Sequence, residues 1–210
     1  MESVPFLKKY QPKYYKDFII DNDYINILKT MHKIDSINVL LVGDSGCGKT
    51  SLLYATMREY YNKEKIPPEN VLLINNLKEQ GIQYYRNEVK TFCQIKSDIP
   101  KKKKFVVLDD LDNINDQSQQ VFRNCIDKYS HNVCFLSSCT NNQKVIESIQ
   151  SRLTLISLPH ITNTILYSIF QNIIDTENIS IDKNAVEFIV NVSNKTIKNL
   201  INYAEKCKLL

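Results

Sequence analysis

The chain has 210 residues, 43% hydrophobic and 24% charged, with a formal net charge of +4. That length allows one large or two small domains with a real core, and a charge this close to balance excludes a global basic field for nucleic acid, so any such contact is local. No apolar run approaches the ~20 residues of a membrane span, and six cysteines without a C-x-x-C or paired histidines argue against zinc and for reduced, buried thiols in an intracellular compartment.

Taken along the chain, a helical pattern at 22–33 precedes a first strand expected at 39–43, in the apolar run Asn38-Val39-Leu40-Leu41-Val42. Three of the chain's four glycines, Gly43, Gly46 and Gly48, then fall in Gly43-Asp44-Ser45-Gly46-Cys47-Gly48-Lys49-Thr50. Glycine concentrated in this way marks a tight turn where nothing bulkier than hydrogen fits. The spacing is G-x-x-x-x-G-K-T, the phosphate loop, and a helical pattern starting at Lys49-Thr50-Ser51 completes its strand–loop–helix setting. The loop N–H groups and the helix N-terminus are suited to phosphates, Lys49 to the β/γ oxygens and the Thr50 hydroxyl to Mg²⁺. The expected ligand is a nucleoside triphosphate held by residues 43–51.

Further strands are expected at 71–75, 105–109, 133–138 and 153–158, with helices at 49–63, 82–96 and 115–129. The apolar runs are continuous rather than alternating, as in a parallel sheet covered on both faces. The fold class is therefore α/β, a five-stranded parallel sheet with flanking helices. Lys101-Lys102-Lys103-Lys104 enters the third strand and reads as a solvated loop or as a contact for nucleic acid or an acidic partner. That strand ends in Leu108-Asp109-Asp110: one carboxylate to orient Mg²⁺ (Asp109) and a second to polarise the attacking water (Asp110). Thr140, after the fourth strand, is placed to bond the γ-phosphate or the water.

Beyond Pro159 only helical patterns follow, at 163–175, 182–192 and 195–207, with Ser193-Asn194 read as the cap of the last. The organisation expected is a nucleotide-binding domain over 1–160 and a small all-helical lid over 161–210.

The phosphate loop at 43–50, the acidic strand end Asp109-Asp110, and the segments at 5–12, 138–140, 149–153 and 196–202 together carry a resemblance to AAA+ ATPases, more narrowly to the small subunits of the replication factor C type of sliding-clamp loader. Pro5-Phe6-Leu7-Lys8-Lys9-Tyr10-Gln11-Pro12 is similar to the family's W-V-E-K-Y-R-P, and the segment from Asn75 to Ile82 to N-A-S-D-E-R-G-I. Asp109-Asp110-Leu111-Asp112 stands for D-E-A-D, Ser138-Cys139-Thr140 for S-C-N, Ile149-Gln150-Ser151-Arg152-Leu153 for I-Q-S-R-C, and Thr196-Ile197-Lys198-Asn199-Leu200-Ile201-Asn202 for D-M-R-R-A-L-N.

The resemblance implies that Tyr10 and Pro12 sit by the adenine, that Lys198 is the sensor-2 cation of the lid, and that Arg152 is an arginine finger acting in trans on a neighbour's γ-phosphate. It implies ATP and Mg²⁺ as ligands, and other clamp-loader subunits in a hetero-oligomeric ring, a sliding clamp and primer–template DNA as partners, with no membrane. The location implied is the nucleus or a viral or cytoplasmic replication site. Arg86 and Lys90, four apart on one helix face, match positions that follow the DNA backbone in the family, and Arg123 matches another basic position. For all three a solvated face is the competing reading.

The chain also departs from the family. Asp110 replaces Glu, and a misplacement of about 1 Å at a reacting group costs on the order of 10²-fold in rate. Lys198 replaces Arg, a point charge for a bidentate fork. No counterpart of the family's helical collar precedes Leu210, so the expectation is a fragment or a subunit that assembles differently. Three functions follow: an ATPase subunit that opens a sliding clamp and places it on DNA, a catalytically weak structural subunit that supplies Arg152, or another AAA+ loader of DNA replication.

Overall fold

The computed structural model describes residues 4–74 and 82–209. The stretch 75–81, including the expected last residue of the second strand and most of the segment similar to N-A-S-D-E-R-G-I, lies outside them. Two compact units divide the chain: residues 13–43 with 49–158, and residues 1–12, 44–48 and 159–210. The units divide at Leu158/Pro159, and residues 1–12 and 44–48 group with the helical unit.

The larger unit is built on five strands, β1 (Val39–Val42), β2 (Val71–Ile74), β3 (Lys104–Leu108), β4 (Val133–Cys139) and β5 (Thr154–Ser157), all parallel in the order β2-β3-β4-β1-β5. β3 and β4 are buried throughout, whereas the edge strands β2 and β5 are partly exposed. Side chains of a strand alternate between faces. Phe105 and Val107 accordingly join one core with Leu41 and Leu136, and Val106 and Leu108 join the other with Leu40 and Phe135. Helices α2 (Asn22–Lys33) and α3 (Lys49–Tyr61) cover the first face. The second is covered by α6 (Asp116–Tyr129), by the short α7 (Glu147–Gln150) and by the helical stretch α4 (Ile82–Tyr84), a π-helical turn (Tyr85–Val89) and α5 (Lys90–Gln94).

Local signals set the helix starts. The Asp21 carboxylate accepts the Asp23 N–H at 3.2 Å before α2, and the Asn115 side chain accepts the Ser118 N–H at 2.9 Å before α6. Each satisfies a donor that the first helical turn leaves orphaned. The burial of Ile25, Leu28 and Met31, and of Phe122, Ile126 and Tyr129, then follows the helical period.

The lysine run turns inward. Lys102 donates to the Tyr60 carbonyl at 2.7 Å, Lys103 to the Asp35 carbonyl at 2.7 Å, and Lys104, only 3% exposed, lies 4.1 Å from the centroid of the Phe92 ring. Long apolar stems and a cation–π contact allow this burial. Three of the four charges are therefore structural, which corrects the solvated reading.

The helical unit contains α1 (Phe6–Lys9), α8 (Asn163–Glu177), α9 (Lys183–Val192) and α10 (Ile197–Leu209) around Phe6, Leu166, Phe170, Leu200 and Ala204. Ser193 closes α9, and Asn194 and Lys195 both take left-handed conformations (φ 52° and 55°) before α10 begins. Ser193-Asn194 therefore ends one helix rather than capping the next, because asparagine tolerates the left-handed turn that terminates a helix.

Candidate functional site

Parallel pairing places three strand ends together. Val42 of β1 is in register with Cys139 of β4, and Leu108 of β3 with Ser137 of β4. The residues that follow these strands, Gly43, Asp109, Asp110 and Thr140, consequently emerge at one carboxyl edge, where open α/β sheets bind ligands. The Gly43 N–H donates to the Cys139 carbonyl at 3.3 Å, fixing the start of the loop.

Lys49 is buried, and its ammonium donates to the Gly43 carbonyl at 2.8 Å. The Thr50 hydroxyl donates to Asp109 Oδ2 at 2.7 Å. Asp109 Oδ1 accepts from the Ser138 hydroxyl, and Ser138 Oγ in turn accepts the Asp110 N–H at 3.1 Å. Ser138 is fully buried, so one hydroxyl ties both acids to the end of β4. Asp110 has φ 55° and ψ 54°, a left-handed conformation uncommon outside glycine and often found at functional sites. Burial, then the charge of Asp109, pushes its carboxyl above the ordinary range, against the opposing pull of Lys49. A carboxylate raised in this way is a better proton acceptor.

The donor set fits Mg²⁺. A hydroxyl and a carboxylate are hard oxygen ligands, and this ion commonly takes one or two carboxylates and completes its shell with phosphates and water. Thr50 and Asp109 would hold it. Among the described residues no group of three or more His, Cys, Asp or Glu forms a separate metal cluster.

In the helical unit, Gly46 and Gly48 have φ of +76° and +98°, values that favour glycine. A Cβ on Gly46 would run into the Thr196 methyl group, and Asp44 is paired with His160. Ser45 is exposed and Cys47 half-buried against the helical core. Ser51, in the first turn of α3, is half-buried in the larger unit. Tyr10 donates its hydroxyl to Glu177 at 2.6 Å, and burial together with that carboxylate pushes its pKa up to about 12. Bonds from Lys9 and Tyr10 hold Glu177 below the usual carboxylate range. Pro12 is half-buried, and Lys198 is exposed in the first turn of α10.

Lys49, Thr50, Asp109, Asp110 and Thr140 thus come to one sheet edge. Arg152 has other partners: its guanidinium binds Asp127 and donates to the Ser148 carbonyl at 2.6 Å. Asp127 also faces Arg123 at 3.8 Å. Arg86 and Lys90 are exposed, with Tyr85 and Val89 buried beneath them. Sequence reasoning assigned no role to Ser138, Asp112, Asp127 or Glu177. Apart from Arg123, four residues before Asp127, their partners are distant in sequence, and only the third acid of D-D-L-D stood out as a pattern.

The family described as "ATPase family associated with various cellular activities (AAA)" matches residues 39–159. Replication factor C subunit 5 of Mus musculus is 26% identical over 99% of this chain and 61% of its own length. The replication factor C small subunit of Saccharolobus solfataricus is 30% identical over 96% of this chain and 61% of its own. The chain thus spans about 61% of the length of these curated relatives. The Thermotoga maritima RuvB Holliday junction branch migration motor shares the fold with a TM-score of 0.72 at 16% identity, over 93% of this chain and 64% of the motor. With a family match across the sheet and its glycine loop, and with resemblance to replication factor C small subunits over nearly its whole length, the chain belongs to the AAA family of ATPases.

Proposed function

We propose that the chain is an ATP-binding and ATP-hydrolysing subunit of a sliding-clamp loader. The observation that carries this is the 2.7 Å bond between Thr50 and Asp109, which joins the two oxygen groups suited to share Mg²⁺ at the edge that also presents Lys49 and Asp110. Residues 43–51 bind the triphosphate, and Lys49 counters charge on its β and γ oxygens. Asp110 takes a proton from the attacking water as the new bond to the γ-phosphorus forms and the β–γ bridge breaks, with ADP leaving. Thr140 orients the water or the γ-phosphate. Thr50 and Asp109 would hold Mg²⁺, which would supply positive charge to offset that of the phosphates.

Residues 161–210 serve as a lid that brings Lys198 to the phosphates, and Tyr10 and Pro12 flank the base. Arg152 leaves Asp127 to reach the nucleotide of a neighbouring subunit in a hetero-oligomeric ring. Arg86 and Lys90, with Arg123 as a further candidate, follow the backbone of primer–template DNA while the assembly opens a sliding clamp. The likeness to replication factor C small subunits supports these partners and a location wherever DNA is replicated, in the nucleus or at a viral or cytoplasmic site.

The Asp at the base position favours a second reading, a structural subunit that binds ATP, hydrolyses it feebly and supplies Arg152. Measuring DNA- and clamp-stimulated ATP turnover of the assembled complex separates the two. Turnover abolished by Asp110→Asn with ATP binding intact is expected. Background turnover in the unmodified complex, with binding intact, selects the structural role, and no uptake of ATP by the purified chain rejects both.

A further inference from the structure

Asp112 sits in the 3-10 turn Leu111–Asn113, directly after the acidic pair. An acid in such a position commonly bonds its own turn. Here Asp112 Oδ2 instead accepts the backbone N–H groups of Thr140 at 3.1 Å and Asn141 at 2.9 Å. Asp112 Oδ1 is buried without a hydrogen-bond partner among the described residues. The carboxylate is thus committed to one task across the ends of two neighbouring strands.

That task begins where the sheet stops. Pairing of β4 ends at Ser137 toward β3 and at Cys139 toward β1. Thr140 and Asn141 lie beyond both ladders, so strand pairing does not set their height above the edge. Hydrogen bonds to a charged acceptor are roughly twice as strong as neutral ones, and two of them converge on a single oxygen here. The Asn113 N–H donates to the Asp110 carbonyl at 3.0 Å, so the turn bearing Asp112 is anchored to the acid whose water Thr140 is suited to orient.

We propose that Asp112 is a positioning residue that fixes the Thr140 turn relative to Asp110. This rests on the assignment of Asp110 and Thr140 to hydrolysis above. What the position requires is an acceptor at this reach, not a negative charge as such. Asparagine supplies that acceptor, whereas alanine does not.

The test compares Asp112→Asn and Asp112→Ala in two measurements. In the assembled complex with DNA and clamp, Asp112→Ala lowers kcat by about 10- to 100-fold, the scale of a misplacement of about 1 Å, while affinity for a fluorescent ATP analogue stays within about 3-fold. Asp112→Asn keeps kcat within about 3-fold. In the isolated chain, amide exchange at Thr140 and Asn141 speeds at least 10-fold in the alanine variant, stays near the wild-type rate in the asparagine variant, and is unchanged at Phe135 and Leu136 in both. Equal kcat in all three proteins, loss of analogue binding in step with kcat, an asparagine variant as impaired as alanine, or unaltered exchange at Thr140 in the alanine variant would each overturn the proposal. If the alanine variant does not fold, the asparagine variant alone decides: wild-type exchange and kcat support the proposal, and faster exchange at Thr140 refutes it. Wild type without turnover defeats the hydrolytic reading, and amide exchange then still judges the role of Asp112.

Discussion

Asp127 holds Arg152 through its carboxylate while facing Arg123 at 3.8 Å, so one acid on α6 is shared by two of the chain's four arginines. The pair is partly exposed, with side-chain exposures of 31% for Arg152 and 42% for Asp127. Such a contact contributes no more than about 1 kcal/mol and is easily exchanged for a stronger partner.

An arginine that leaves this resting pair to act on a neighbour makes no contribution to its own chain's nucleotide. Arg152→Ala should leave the ATP affinity of the isolated chain unchanged and lower turnover of the assembled complex by about 10³-fold. Asp127→Asn should change the chain's stability by less than about 1 kcal/mol and keep or raise assembled turnover. Titration calorimetry on the chain and steady-state kinetics on the complex provide the readings, and weakened ATP binding by isolated Arg152→Ala would contradict action in trans.

The left-handed, partly buried Asp110 suggests a trade of stability for function. Because its carboxyl is raised, ionisation is disfavoured in the folded chain and costs stability near neutral pH. Asp110→Asn removes that cost, and asparagine tolerates the left-handed conformation well. The variant should unfold at equal or higher urea concentration, a gain of up to about 1 kcal/mol, while losing turnover. In wild type, turnover should fall on acidification through a pKa above the ordinary carboxylate value.

At Gly46, a φ of +76° and the adjacent Thr196 methyl leave no room for a Cβ. Gly46→Ala should cost at least about 1 kcal/mol from the backbone alone, with steric strain added. Thr196→Ser deletes the obstructing methyl, so the double variant should recover the steric part and not the backbone part. Urea unfolding of the four proteins in a double-mutant cycle measures the coupling, and strict additivity would exclude the contact as its cause.

His32 is largely buried beside Tyr15, whose hydroxyl lies 3.0 Å from Nε2, and burial together with the charge of Lys102 holds its pKa down to about 4. Unfolded histidine titrates near 6.5. Between those values the unfolded chain takes up a proton that the folded chain does not, so this contribution is intact above pH 6.5 and is lost as pH falls toward 4. Wild type should lose on the order of 1–3 kcal/mol more than His32→Gln across that window. Parallel pH dependences of the two urea midpoints would refute the assignment.

The central strands were legible because both their faces are buried, which leaves unbroken apolar runs such as Phe105-Val106-Val107-Leu108. The loop was legible because a chain with four glycines places three of them together. Less was visible where one sequence serves two geometries. Ser193-Asn194 suits a helix start as well as the left-handed end it forms, and nothing in Tyr85–Val89 advertises a π-helical turn within a helical run. Four-residue α1 is too short to show a period. Composition also misdirects at the lysine run, because the carbonyls that receive Lys102 and Lys103 belong to Tyr60 and Asp35, far away in sequence. The same holds for Asp112 and Ser138, whose roles exist only once β3 and β4 lie side by side.

Folding those ammonium groups inward also changes what an outside enzyme can reach. Trypsin recognises lysine, and the run offers it four adjacent cleavage points, yet of the four only Lys101 is exposed, on a left-handed turn with φ 59°. Brief digestion of the native chain should therefore nick this loop after Lys101 and spare the next three bonds, so that the loop acts as a gauge of how intact the surrounding structure is.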